Sequence, residues 1–215
     1  CLEVVKYLSK KYYDVNQLTD WRSYLIMDAL QNQKMMEDNK TNEIVKILLE
    51  RDDIDLNCIE NEAFWDYRRY GFSPLALCSD LETIKTMIEK GADVNLKSPQ
   101  GTTALMNTLN IEKIKILLEK GANVDELDND GNSALINIVK NLKNYDYYYF
   151  DESVSEVPSV LPVIKLLLEK GANMDTVNNE GNNAFIYAAK NNCVDVLEFL
   201  IEKGTNIKFK NRNGE

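Results

Sequence analysis

Two stretches of this chain hold side chains whose chemistry is recognition. In "FWDYRRYG", at 64–71, Phe64, Trp65, Tyr67 and Tyr70 stand beside Arg68 and Arg69, the aromatic and arginine mixture enriched at protein-binding hot spots. The same aromatics could fold back and pack the long loop they sit in, which would still leave the arginines available. In "YDYYYFDE", at 145–152, Tyr147, Tyr148 and Tyr149 lie among acidic residues. That pattern offers an aromatic docking surface or a phosphorylation segment, weighed against the plainer alternative that clustered aromatics pack onto their own fold. Trp65, Tyr67, Arg68, Tyr147, Tyr148 and Tyr149 are therefore secondary binding candidates.

Catalytic chemistry is poorly supplied. The chain has no histidine, so Ser-His and Cys-His nucleophile pairs cannot form within it. Cys1, Cys58, Cys78 and Cys193 show no Cys-x-x-Cys spacing, which with the lack of histidine argues against a zinc site. Scattered thiols in a chain of this size indicate a reducing compartment rather than a disulfide framework. No Gly-Lys-Ser/Thr sequence occurs to cradle phosphate. We expect no catalytic residue, no cofactor and no metal.

Bulk properties narrow the partner. The 215 residues are 44% apolar and 28% charged, a globular composition. A net charge of −10 repels phosphate backbones, so nucleic acid is not the expected partner and a basic or mixed-charge protein is. With no apolar run of membrane-spanning length and no signal-peptide pattern, a soluble cytoplasmic protein that does not meet the membrane is expected.

The elements that must carry these residues follow from nine glycines. Gly91, Gly121, Gly171 and Gly204 each follow a Glu-Lys pair closing an apolar-periodic stretch: "MIEKG", "LLEKG", "LLEKG" and "LIEKG". Ile111, Ile114, Leu117 and Leu118 recur at helical spacing, and Gly121 then supplies the left-handed residue that ends such a helix. The other five, Gly71, Gly101, Gly131, Gly181 and Gly214, form a second set, four of which precede "GFSPLAL", "GTTALMN", "GNSALIN" and "GNNAFIY". Ser73, Thr103, Ser133 and Asn183 there are N-cap residue types, and Pro74 falls at the first helical position. Successive members of this set lie 30, 30, 50 and 33 residues apart, so the chain repeats a unit of helix, short connection, helix and cap.

At this point the residues resemble the ankyrin repeat family: "DNDGNSAL" at 128–135, "NNEGNNAF" at 178–185, "EIVKILLE" at 43–50 and "GADVN" at 91–95. The resemblance implies an all-α ankyrin-repeat solenoid of stacked helix-turn-helix units with projecting hairpin-like loops, stabilised by neighbour packing. The expected organisation is a single ankyrin-repeat domain over 1–215. It divides into a partial repeat at 1–20, a long repeat at 21–70, repeats at 71–100 and 101–130, a second long repeat at 131–180, a repeat at 181–213, and the start of another at 214–215. Insertions fall near 31–41, 58–70 and 145–160. The two 30-residue repeats lack three residues, which predicts tight helix-to-helix connections, as in "LNIEKIKILL".

The resemblance also implies a non-catalytic protein-binding module whose contacts lie beside the turn glycines. Those positions are Arg69, Tyr70 and Phe72; Pro99, Gln100 and Thr102; Asn129, Asp130 and Asn132; and Asn179, Glu180 and Asn182. Lys190 and Asn191 extend the surface from the end of a first helix. Basic Arg68 and Arg69 at one end and acidic Asp128 and Asp130 in the middle suggest a charge-patterned protein partner for a monomeric, scaffold-like chain. Acidic turns such as "DELDND" belong to the repeat and do not follow calcium-loop spacing. Two other readings stand beside this one. The segment could choose substrates for a larger enzyme or host-directed effector, acting in a host cytosol with its catalytic domain outside this chain, or it could self-associate through its end repeats.

Overall fold

A computed structural model describes residues 14–17, 24–36, 39–59, 72–142, 160–208, 210–212 and 214, with side chains left undescribed at 31–36 and 39–42. The described residues are helical and contain no strand. They belong to two compact units, residues 1–104 with 119–121, and residues 105–118 with 122–215.

In the first unit α1 (Leu25–Met36) packs on α2 (Asn39–Leu49) and on α3 (Pro74–Leu77), while α2 packs on α4 (Leu81–Glu89). First helices thus stack on first helices and second on second. The contacts are apolar: Ile26, Met27 and Leu30 of α1, Val45, Leu48 and Leu49 of α2, and Ile84 and Met87 of α4 are all buried. Each such side chain contributes about 1.5–3 kcal/mol relative to exposure. A helix of four residues such as α3 could not hold itself in water, so its stability is borrowed from these neighbours.

The second unit repeats the scheme with the 3-10 turn η1 (Ala104–Asn107, whose first residue clusters with the first unit), α5 (Ile111–Glu119, whose last residue does likewise), α6 (Ala134–Lys140), α7 (Leu161–Glu169), α8 (Ala184–Lys190) and α9 (Val194–Glu202). Helix α6 packs on α8, α8 on α9, and α9 on α7. Residues 134–139 of α6 are buried all round. The helix starts follow the sequence: the Ser73 and Ser133 hydroxyls and the Asn183 side-chain Oδ1 accept from the backbone N–H three residues on. Among the helix-ending glycines, Gly121 has φ 93, and its backbone amide lies next to Ala122, whose N–H closes onto the Leu117 carbonyl at 2.9 Å.

One expectation changes. In the 30-residue repeats the shortening falls on the first helix and not on the connection. Residues 78–80, 108–110 and 191–193 are connections of equal length, whereas α3 and η1 have four residues against seven in α8. A first helix can lose a turn because the stack, rather than its own propensity, holds it. The excess near 31–41 is built largely as helix, since α1 runs to Met36 and α2 begins at Asn39. The insertion at 145–159 and most of that at 58–70 lie outside the described residues.

Candidate functional site

The hairpins before the first helices are built by one device. Ser98, Asp128 and Asn178 occupy the same repeat position, and a side-chain oxygen of each accepts backbone N–H groups two and four residues on. Distances are 3.2 and 3.1 Å for Ser98, 2.9 and 2.8 Å for Asp128, and 3.0 and 2.9 Å for Asn178. A glycine at positive φ closes each turn, and its N–H donates to the Ser98, Asp128 or Asn178 carbonyl at 2.8–2.9 Å. The tips between these anchors are exposed: Pro99 and Gln100 in the first unit, Asn129 with Asp130 and Asn179 with Glu180 in the second.

Within the second unit the two hairpins are joined. Asn179 N–H donates to the Asp130 carbonyl at 2.8 Å, and Asn179 Nδ2 to the Asn129 carbonyl at 3.0 Å. Behind the tips runs a buried amide chain. Asn178 Nδ2 donates to Asn132 Oδ1 at 2.8 Å, and Asn211 Nδ2 to Asn182 Oδ1 at 2.7 Å. Asn132 Nδ2 donates to the Asp128 carboxylate at 3.0 Å, as does Asn137 Nδ2 from α6 at 2.8 Å. In the next hairpin Tyr187 of α8 stands where Asn137 stands, accepting from Asn178 Nδ2 at 3.0 Å and donating to Glu180 Oε2 at 3.2 Å.

Charged groups ring this framework. Lys140 Nζ lies 3.7 Å from Asp130 Oδ2 and 5.8 Å from the Tyr187 ring centre, and Lys190 Nζ lies 5.9 Å from the same ring. Acidic side chains occupy the tips and lysines the C-terminal ends of α6 and α8, where the helix dipole favours a cation.

A second ladder ties the bases of successive repeats together. Asp14, Asp55, Asp93, Asn123, Asn173 and Asn206 each accept, through a side-chain oxygen, the N–H two residues on at 2.8–3.1 Å. Asn16, Asn57 and Asn95 then reach the following repeat: their Nδ2 groups donate to the carbonyls of Asp53, Gly91 and Gly121 at 2.6, 3.1 and 3.0 Å. Asn16 Oδ1 and Asn57 Oδ1 accept from Asp55 N and Asp93 N at 2.7 and 2.8 Å. The Asp53 turn is also gripped by Arg51, whose Nε and Nη2 donate to its carboxylate at 2.7 and 2.5 Å. That hydrogen bonding pulls the Asp53 carboxyl below its ordinary range and raises the Arg51 guanidinium.

Of the residues singled out from sequence, Pro99, Gln100, Asn129, Asp130, Asn179, Glu180 and Lys190 are exposed, and Phe72 and Thr102 are half-buried. Asn132 and Asn182 are each 1% exposed, because their amides are spent in the buried chain rather than turned to the surface. Asn191 is likewise occupied, donating to the Val139 carbonyl at the end of α6 at 2.6 Å. Arg68, Arg69, Tyr70, Trp65, Tyr67, Tyr147, Tyr148 and Tyr149 lie outside the described residues. Lys140 and Tyr187 were missed. Lys140 is 50 residues before Lys190 and ends the equivalent helix, so the repeat register alone could have found it.

A family model described as "Ankyrin repeats (3 copies)" matches residues 75–148 and 158–211, more than half of the chain. The chain belongs to the ankyrin repeat family. Its fold is accordingly the all-α ankyrin fold, and the stacked helix pairs and glycine-closed hairpins described above are its ankyrin repeats. Ankyrin repeats are generally protein–protein interaction modules and typically non-catalytic. No curated protein matches the chain. Among the described residues no helix is long and apolar enough to cross a membrane, and no group of metal-ligating side chains comes together.

Proposed function

We propose that this chain is a non-catalytic binding module for a protein partner, which it engages through hairpin tips and the adjoining ends of first helices. One observation carries the reading. The anchors of each tip are buried or hydrogen-bonded within the hairpin, while the tips themselves are exposed and, in the second unit, charged. A surface held this way loses little conformational entropy on docking, so its contacts go into affinity. The contact residues in the second unit are Asn129, Asp130, Asn179, Glu180 and Lys190, joined by Lys140. The first unit offers Pro99 and Gln100, with Phe72 and Thr102 beside them. Acidic tips facing lysine-bearing helix ends select a charge-patterned partner and disfavour a polyanion. Cys58 and Cys78 are buried and not joined in a disulfide among the described residues, which supports a reducing cytosolic setting, in the chain's own cell or a host's.

The test is affinity capture from source or host lysate with quantitative mass spectrometry, comparing the wild-type chain with Gln100→Ala, Asp130→Lys, Glu180→Lys. The three positions are exposed, but Glu180 also accepts from Asn182 Nδ2 and the Tyr187 hydroxyl, so an unchanged helical circular dichroism is required of the variant before its binding is read. A partner captured by the wild type and lost by the variant supports the tip surface; a partner retained at full yield by a folded variant rules it out.

A further inference from the structure

A second surface of different character lies on the arms that lead into the hairpins of the second unit, at 123–127 and 173–177. Five large apolar side chains are exposed among the described residues, and three of them sit on faces that the stack itself uses. Val194, Ile201 and Ile207 correspond to Leu161, Leu168 and Met174 one repeat earlier, none of which is exposed. Leu127 and Val177 are different. They hold the same repeat position and are 40% and 42% exposed, although the following arm is in place beside each. The arm at 173–180 is bonded to the one at 123–130, and the next arm is bonded in turn through Asn211 Nδ2 to Asn182 Oδ1 at 2.7 Å. Stacking therefore does not claim these two side chains.

Two bonds between the arms frame the pair. Asn173 N–H donates to Asp125 Oδ1 at 2.8 Å on one side and Asn179 N–H to the Asp130 carbonyl at 2.8 Å on the other, which holds Leu127 and Val177 at matching positions of adjacent arms. A single exposed apolar residue is ordinary, whereas two fixed together make a patch. The charge around them is of one sign. Asp125 and Asp175 are exposed two residues earlier in each arm, Asp130 and Glu180 three residues later, and no lysine or arginine occurs at 121–139 or 171–189. Lys140 approaches Asp130 at 3.7 Å, but Asp125 and Asp175 have no ion-pair partner among the described residues. Other arms differ at the position of Leu127 and Val177: Lys97 and Lys210 are exposed there and Ile59 is half-buried, while Asn57, Asn95 and Lys208 replace the aspartates. Among the described arms, only these two combine an exposed apolar residue with an acid. A second copy presenting the same patch would set acid against acid, so the complementary occupant is cationic.

We propose that the patch formed by Leu127 and Val177 docks a segment of a partner protein in which two large apolar side chains are bordered by lysine or arginine. Leu127 and Val177 take the apolar pair, and Asp125 and Asp175 pair with the cations. The inference rests on the chain being a protein-binding module but not on which tip residues make contact, so the two readings can fail separately.

The probes are three short fluorescent peptides: one with a central leucine pair bordered by lysines, one with the lysines replaced by glutamates, and one with the leucines replaced by serines. Added to the full chain, the first is expected to bind at least about tenfold more tightly than either of the others. Leu127→Lys with Val177→Lys introduces the residue type found at 97 and 210, so it should keep the fold while weakening that binding at least about tenfold. Asp125→Asn with Asp175→Asn keeps the side-chain oxygen that accepts from Asn173 N–H and should erase the preference for lysine borders. Equal binding of the three peptides, no binding, or undiminished binding by the folded lysine variant overturns the proposal. So does a concentration-dependent dimer of the wild-type chain that the lysine variant dissolves, because a second copy would then be the occupant. Peptide binding lost in Asp130→Lys, Glu180→Lys but kept in both arm variants would move the site to the tips and overturn this inference alone, whereas a lysate partner retained by that tip variant would sink the tip surface alone.

Discussion

At the scale of single residues, backbone sign and hydrogen-bond saturation decide what can change. Gly121 and Gly131 both have positive φ, 93 and 78, yet they are not equivalent. A Cβ on Gly121 would meet nothing within 4 Å, whereas on Gly131 it would stand 2.9 Å from Asn179 Oδ1 and 3.1 Å from Asn179 N. Gly121→Ala should therefore cost only the left-handed strain, about 1 kcal/mol, and Gly131→Ala at least about twice that. Thermal unfolding of the pair checks it; equal losses would mean that the neighbouring hairpin yields. Thr205 stands where Ala92, Ala122 and Ala172 stand in other repeats, and its Oγ1 is buried with no hydrogen-bond partner among the described residues. Thr205→Ala should raise the melting temperature by about 2–4 °C, the equivalent of about 1 kcal/mol in a chain of this size. A lower melting temperature would show that the hydroxyl is satisfied. Asp53, held below its ordinary range by Arg51, contributes stability at neutral pH that is lost as pH falls through its lowered titration point. In Arg51→Gln the Asp53 carboxyl should titrate closer to the usual 3.8, a shift that carbon NMR would record.

At the scale of elements, hairpins and ladders matter more than helix propensity. Asp128 joins its own turn to α6 through Asn132 and Asn137, both buried. Asp128→Ala should strand these amides and cost about 2–4 kcal/mol, with hydrogen-exchange protection lost first at Asp130 and Asn132. If protection there persists, the glycine turn alone holds the hairpin. Helix starts and stops were readable from Ser73, Ser133 and Gly121 because caps act over three or four residues. The shortened α3 and η1 were not, since how many residues a first helix keeps depends on the helices stacked against it. Burial of Asn132 and Asn182 was hidden for a related reason: a polar residue after a turn glycine looks like a contact until the next repeat's amide is seen to claim it.

At the scale of the whole molecule, a net charge of −10 governs encounter rather than fold. Association with a captured basic or mixed-charge partner should slow about tenfold or more as salt rises from low to molar ionic strength, with dissociation changing far less. An association rate insensitive to salt would remove charge from the account of partner choice. The repeat itself, the all-α class and the family were determined by the sequence alone, because glycines at positive φ and N-cap residues recur in register and each acts locally. Tertiary structure alone decided which polar residues were consumed in the amide chain and that Lys140 and Lys190 flank one tyrosine ring. Those outcomes depend on which side chain of one repeat meets which group of the next, a relation set by stacking across tens of residues and not by any local pattern.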